Sequence, residues 1–147
     1  MIPEYDADGN LLPGVHSATW QEMETRLAWS PYRQTLLAGL RAALLALRTA
    51  GVKRVYIDGS FITRKRFPGD WDGCWETDGL DPTKLDPVLL QFADGCAAQK
   101  AKYEGAMYLA DDIETLSDRI FLEFFQIDKA TGNAKGIIRL DLRRLKL

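Results

Sequence analysis

The chain has 147 residues, enough for one domain with a buried core that needs no disulfide bond. Apolar residues make up 46% and charged residues 27%, which excludes a disordered polypeptide, and a net charge of -2 excludes a protein that is basic overall. Two cysteines and one histidine exclude a zinc site of ordinary spacing. There is no secretory signal pattern and no apolar run of membrane-spanning length, so we expect a cytoplasmic protein.

The first half of the chain predicts an arm followed by two helices. Residues 1–16 are rich in Asp, Asn, Gly and Pro, which favours an extended N-terminal arm. A capped helix is expected over 17–28. Ser30-Pro31 is a strong start for a second helix over 31–50, where leucines recur at helical spacing.

Four segments predict the strands of a small mixed sheet: 52–57, 70–76, 106–110 and 136–142. A short helix is expected over 87–92, whereas the type of 96–104 and of 120–127 is left open. No repeat or linker divides the sequence. The pattern therefore predicts a single α/β (α+β) domain over 1–147, with helices packed on the sheet.

The chemistry of the sequence concentrates in one segment, YIDGSFITRKRFPGDWDGCWE, where nine residues separate Ser60 from Asp70. Gly59 follows a predicted strand and would let the backbone approach a phosphate closely. The Ser60 hydroxyl and nearby N–H groups can donate to phosphate oxygens. Asp70 and Asp72 are two positions apart on a strand, so both carboxylates should share a face. Such a pair suits Mg²⁺ or Mn²⁺ bound together with a triphosphate.

This Gly-Ser and Asp-x-Asp pattern resembles the polymerase-β-like nucleotidyltransferases, with the match concentrated in residues 52–76. The resemblance implies that Gly59 and Ser60 bind the nucleotide and that Asp70 and Asp72 bind the metal. A broader resemblance, to a bacterial family built around the same motif, extends over nearly the whole chain. The segments that carry it are LPGVHSATW, LLAGLRAAL, YIDGSF, FPGDWDGCWE, LDPVLL, AAQKAKY, FLEFFQIDK and KGIIRLDL.

Members of the superfamily also use a third acid, on a later strand, to activate the attacking hydroxyl. Asp111, after the strand 106–110, stands in the expected order along the chain and is our candidate. Asp141 in the last strand is an alternative, and Glu123 is a further one. Gly73, where the superfamily usually has an apolar residue, predicts a bulge, a close ligand approach or simply a short strand.

Basic residues between the two halves of the motif are candidates for binding the triphosphate. We expect Arg64 and Lys65, with Arg66, to grip phosphates or an RNA backbone, and Lys135 is a further candidate. A solvated loop is the alternative for this charged run. Cys74 lies near the proposed site but has no neighbouring histidine, which disfavours a cysteine nucleophile. The tryptophans are expected to be packing residues rather than base-stacking platforms.

These observations favour transfer of a nucleoside monophosphate from an NTP to a hydroxyl of a protein, an RNA or a small molecule. Small members of the superfamily often belong to toxin–antitoxin or defence pairs, which suggests such a role by analogy alone. A partner protein or a homo-oligomer would then supply the binding surface for a large acceptor. One alternative is a nucleotide-binding or partner-binding protein without turnover. Another is an antitoxin-like interaction protein in which the acids are surface charges.

Overall fold

The computed structural model describes residues 1–147 and shows the predicted α+β fold, with four α-helices and seven strands. The helices are α1 (Trp20–Leu27), α2 (Pro31–Thr49), α3 (Ala93–Tyr103) and α4 (Phe121–Phe124). The strands are β1 (Gly14–Ser17), β2 (Arg54–Asp58), β3 (Trp71–Trp75), β4 (Gly105–Leu109), β5 (Ile113–Glu114), β6 (Arg119–Ile120) and β7 (Gly136–Asp141). No helix combines the length and the apolar composition needed to cross a membrane.

Five strands form a mixed sheet in the order β1-β7-β2-β3-β4, and β5 and β6 form a separate hairpin. The central strand β2 is antiparallel to both of its neighbours, β3 and β7. The edge strands β1 and β4 are each parallel to the strand beside them. This arrangement places the strand that precedes Gly59 next to the strand that contains Asp72.

The two faces of the sheet are covered very differently. One face carries the side chains of residues such as Val55, Ile57, Trp71 and Trp75 into a core of 28 buried residues that includes the leucines of α2. The other face carries a cluster of only five buried residues. Because side chains alternate along a strand, Asp58 lies on this second, less covered face. The second face is therefore the one open to a ligand.

Local signals explain why α1 and α2 begin where they do. Thr19 and Glu22 form a reciprocal capping box at the start of α1. Ser30 caps α2 by accepting a hydrogen bond from the Arg33 N–H, and Pro31 occupies the first turn. The leucine stripe of α2 then packs against the covered face of the sheet.

Arg33 is fully buried and fixes the loop that follows β2. Its guanidinium donates to the carbonyl oxygens of Phe61, Thr63 and Lys65 at 2.6–2.7 Å, and to that of Leu27 at 2.9 Å. The guanidinium carbon also lies 4.7 Å from the centre of the Trp29 ring. No carboxylate pairs with the Arg33 guanidinium, and backbone carbonyl dipoles take the place of a counter-ion. Burial lowers the pKa of Arg33.

The helices and strands predicted from periodicity are present with shifts of a few residues. The arm 1–16 contains the unpredicted residues of β1, because its pairing with β7 depends on a partner more than a hundred residues away. The expected helix over 87–92 is a 3₁₀ turn, Pro87–Leu90, followed by α3. The open segment 96–104 lies mostly in α3, and 120–127 contains α4.

We predict that Arg33→Met destabilises the protein by about 3–5 kcal/mol, because four carbonyl oxygens, two buried and two partly buried, lose their donor. Urea unfolding followed by circular dichroism measures this change. Arg41→Met is the matched control, since Arg41 is exposed on the same helix, and we expect it to change stability by less than about 0.5 kcal/mol. Equal effects of the two substitutions would contradict this role of Arg33.

Candidate functional site

The centre of the site is a pair of acids that face each other across two strands. Asp58 at the end of β2 is the register partner of Asp72 in β3. Side chains directly opposite one another in an antiparallel pair have Cβ atoms about 5 Å apart, and like charges in such a pair repel. The fold therefore places two negative groups side by side on the less covered face of the sheet.

Gly59 makes this close approach possible. Its φ of 90° and ψ of 179° lie in a region that is nearly restricted to glycine. A Cβ at this position would lie 2.9 Å from the backbone nitrogen of Asp72 and 3.0 Å from its Oδ2. The chain then turns into a short 3₁₀ segment that begins at Ser60. The first N–H groups of such a segment have no acceptor within it and are therefore potential donors to a ligand.

Asp58 is neutralised by a lysine from the start of β7. The Lys135 Nζ donates to both carboxylate oxygens, at 2.8 and 3.0 Å, and Asp58 is only 5% exposed. Burial raises the pKa of Asp58, while Lys135 opposes that shift. Sequence reasoning missed Asp58, although it stands directly before the Gly-Ser pair. The only available signal was an acid that directly follows the buried run 55–57 of the strand.

Asp70, directly before β3, lies near enough to Asp72 to act on it electrostatically. The pKa of Asp72 is raised to about 6, chiefly by burial and then by repulsion from Asp70 and from Asp58. Lys100 and Lys129 act in the opposite direction. The negative charge of Asp70 is partly balanced by Lys100, whose Nζ lies 3.5 Å from the Asp70 Oδ2. Asp72 is thus the acid with the least compensated charge.

Of the basic residues expected at the site, Lys135 contacts one of the acids, whereas the run 64–66 makes its contacts elsewhere. Arg64 turns toward the N-terminal arm, with its guanidinium carbon 5.8 Å from the centre of the Tyr5 ring. Lys65 is exposed, and its carbonyl oxygen is held by Arg33. Arg66 lies over Phe67. The cations that reach the acids are the three lysines at 100, 129 and 135, brought there by topology from distant parts of the chain.

The structure does not bring the three later candidates for the third acid to this site. Asp72 pairs with Ala106, whereas Asp111 follows the far end of β4, beyond Leu109 and thus more than about 10 Å further along the strand. Asp141 is the register partner of Arg54, at the opposite end of β2, and it pairs with Arg143. Glu123 is exposed on α4. The third acid near the pair is Asp58.

Gly73 and its neighbours serve packing. The register of β2 and β3 is continuous through Gly73, so there is no bulge at this position. A Cβ there would lie 2.6 Å from the Tyr56 carbonyl oxygen and 2.9 Å from the Met107 sulfur, which explains the glycine. Burial raises the pKa of the Cys74 thiol, which keeps it protonated and unreactive. Trp71 and Trp75 are fully buried, as expected for packing residues.

A cleft of about 670 Å³ adjoins the acids. Its lining includes Asp72, Phe92, Tyr108, Phe121, Phe124 and Lys129. Ring centres of Tyr108 and Phe121 are 4.3 Å apart with nearly parallel planes, and those of Phe92 and Tyr108 are 5.7 Å apart. The periodicity of the sequence did not reveal this cleft, because its aromatic side chains come from three separate segments of the chain.

The donors present fit a magnesium ion that is bound together with a phosphate ligand. No group of three or more His, Cys, Asp or Glu side chains is placed to hold a metal ion by itself. Mg²⁺ typically binds through one or two carboxylates, several waters and the phosphates of its substrate, so a complete protein cage is not required. Asp70 and Asp72 supply carboxylates of this kind, and a cation would relieve the repulsion that raises the pKa of Asp72.

We predict that Asp72→Asn stabilises the protein in the absence of added metal, by an amount that depends on pH. Because the pKa of Asp72 is raised from 3.8 to about 6, the wild-type protein loses stability as pH rises through this range. The variant has no such charge, so its advantage should grow from near zero at pH 4 to roughly 3 kcal/mol at pH 7. Urea unfolding across this pH range measures the difference.

Asp111→Asn is the control for this measurement, since Asp111 is an exposed acid outside the site. Its difference from wild type should change little between pH 4 and pH 7. If the free energies of unfolding of Asp72→Asn and wild type differ by the same amount from pH 4 to pH 7, that result contradicts the crowding of charge at Asp72.

Comparison with known proteins yields a family but no described activity. No curated protein and no solved structure matches the chain. The model of a family of unknown function, DUF6932, matches residues 3–141 and therefore includes every residue of the site described above. The chain belongs to the DUF6932 family.

Proposed function

We propose that this protein is a metal-dependent nucleotidyltransferase that moves a nucleoside monophosphate from an NTP to a hydroxyl group. The observation that carries the proposal is the close approach of Gly59 to Asp72, which puts a glycine turn beside crowded carboxylates. A triphosphate with its cation complements both parts of this arrangement. The resemblance of the Gly-Ser and Asp-x-Asp pattern to polymerase-β-like enzymes supports the same reaction class.

Each residue near the turn has a role in this proposal. The N–H groups at Ser60 and the Ser60 hydroxyl bind phosphate oxygens, while Asp70 and Asp72 hold Mg²⁺ or Mn²⁺. When bound, the ion offsets charge on the transferred phosphoryl group and on the departing pyrophosphate. Lys100 and Lys129 contribute further positive charge near the phosphates.

The transfer forms a bond between the acceptor oxygen and the α-phosphorus and breaks the bond between the α- and β-phosphates. Pyrophosphate leaves, and the acceptor hydroxyl loses its proton. We assign the acceptance of that proton to Asp58 rather than Asp111, because Asp58 faces Asp72 across the ladder. Burial raises the pKa of Asp58, which favours proton acceptance, and the transfer requires one of its oxygens to leave the Lys135 ammonium group.

A second candidate function is nucleotide binding without turnover. The observation that favours it is the pairing of two of the three acids with lysines, Asp58 with Lys135 and Asp70 with Lys100. These lysines can satisfy the carboxylates without a metal ion. Such a protein would bind a nucleotide and release it unchanged.

We predict that Mg²⁺ with at least one NTP raises the melting temperature by several degrees, as expected when ligand exceeds its Kd about a hundredfold. The shift should disappear in the double variant Asp70→Asn/Asp72→Asn. The matched control is Asp111→Asn/Asp118→Asn, which removes two exposed acids away from the site and should retain the shift. Differential scanning fluorimetry with each NTP, with and without the metal, provides the measurement.

Release of pyrophosphate in the presence of acceptors from a cell extract then separates the two functions. Transfer of label from the α-phosphate to an acceptor supports the enzyme, whereas a thermal shift with no release supports the binding protein. No shift with any NTP, with or without the metal, would contradict both.

A further inference from the structure

We infer that the aromatic cleft beside Asp72 binds the base of the nucleotide whose triphosphate lies at Gly59 and Ser60. This inference rests on the proposed function and adds to it the position and chemical class of the ligand's other half. The aromatic cleft is the depression of about 670 Å³ described above, to which Phe92, Tyr108, Phe121 and Phe124 contribute. Its volume is within the range usual for small-molecule sites.

The rings of the aromatic cleft form a row of nearly parallel planes. Phe92 and Tyr108 differ in orientation by 10°, and Tyr108 and Phe121 differ by 13°. Phe92 remains 39% exposed, so the row is not closed off by the rest of the protein. A flat aromatic ligand extends such a row with little loss of conformational entropy, and a nucleobase has this shape.

Continuity with the acids identifies the ligand as a nucleotide rather than an apolar peptide. Asp72 lines the aromatic cleft and also faces Asp58 and Gly59, so one ligand can reach both parts. Lys129 also lines the aromatic cleft, with its Nζ 5.0 Å from the centre of the Phe124 ring. Its positive charge lowers the pKa of Asp72. A cation between rings and carboxylates matches a ligand that is aromatic at one end and phosphorylated at the other.

The rim of the aromatic cleft can also recognise the edge of a base. Asp112, Glu114 and Thr115 line it beside the rings. Carboxylates accept hydrogen bonds from the amino and imino groups of bases, and a threonine hydroxyl can donate or accept. The Glu114 carboxylate already accepts hydrogen bonds from the Leu116 and Ser117 N–H groups. A purely apolar partner would leave Asp112 and Thr115 without hydrogen bonds at the contact, which costs free energy.

Two kinds of probe, one without phosphate and one without a base, separate this inference from the proposed function. The four nucleosides without metal test the aromatic cleft alone, and tripolyphosphate with Mg²⁺ tests the acids and the glycine turn alone. Saturation-transfer NMR and calorimetry measure binding of each probe to wild type, Phe121→Leu and Asp72→Asn. We expect Phe121→Leu to weaken nucleoside binding roughly tenfold and to leave tripolyphosphate binding unchanged. Asp72→Asn should abolish tripolyphosphate binding.

Phe67→Leu is the matched control, because Phe67 is 61% exposed and contacts Tyr32 outside the aromatic cleft. It should bind nucleosides as wild type does. Phe92→Leu, at a more exposed ring of the row, is a second variant in case Phe121→Leu is unstable, and it should also weaken nucleoside binding.

Equal nucleoside affinity in wild type and both cleft variants would overturn the inference, as would a failure of every nucleoside to bind. Nucleoside binding without any binding of tripolyphosphate and Mg²⁺ would support the aromatic cleft but contradict the proposed function. Tripolyphosphate binding without nucleoside binding would do the reverse.

Discussion

The repulsion between carboxylates on adjacent strands is the constraint on which the rest of the site depends. Asp58 and Asp72 are opposite one another in the ladder, and Asp70 lies close enough to add to the charge. A sheet built only for stability would place an apolar or oppositely charged pair at such positions. The protein instead retains three acids around a turn that requires glycine. A cation and a phosphate ligand bound at this turn would explain why the protein retains acids that repel one another and so lower its stability.

The surrounding structure is organised to hold that charge in place. Lys135, directly before β7, links this strand to the neighbouring β2 by donating hydrogen bonds to both carboxylate oxygens of Asp58. On the other side of the loop, Arg33 donates hydrogen bonds to the carbonyl oxygens of three alternate residues, 61, 63 and 65, and so fixes the backbone after Gly59. Helices α1 and α2 cover the opposite face of the sheet, where Trp71 and Trp75 are buried, whereas on the site face the short helix α4 packs against the smaller cluster. The acids and the aromatic cleft therefore share the face that remains accessible.

The sequence allowed the main helices and strands to be predicted because their signals are local. The leucine stripe of α2, its cap at Ser30-Pro31 and the spacing from Gly59 to Asp72 depend only on neighbouring residues. The partners of the acids could not be predicted this way, since Lys100 and Lys135 reach them through strand order and register. Arg64 and Asp111 were reasonable candidates by position along the chain. The backbone directs Arg64 toward Tyr5, and the parallel register of β3 and β4 places Asp111 beyond the far end of the pair.

The most direct test of the account is the location of a bound cation. Mn²⁺ added with a non-hydrolysable NTP analogue broadens the NMR signals of nearby nuclei, so amide spectra of the labelled protein report where it binds. The account predicts that the signals of Gly59, Ser60 and Asp72 disappear first, followed by those of residues lining the aromatic cleft. Broadening centred on the exposed acids around Asp111 and Asp118, or no localised broadening at all, would contradict it.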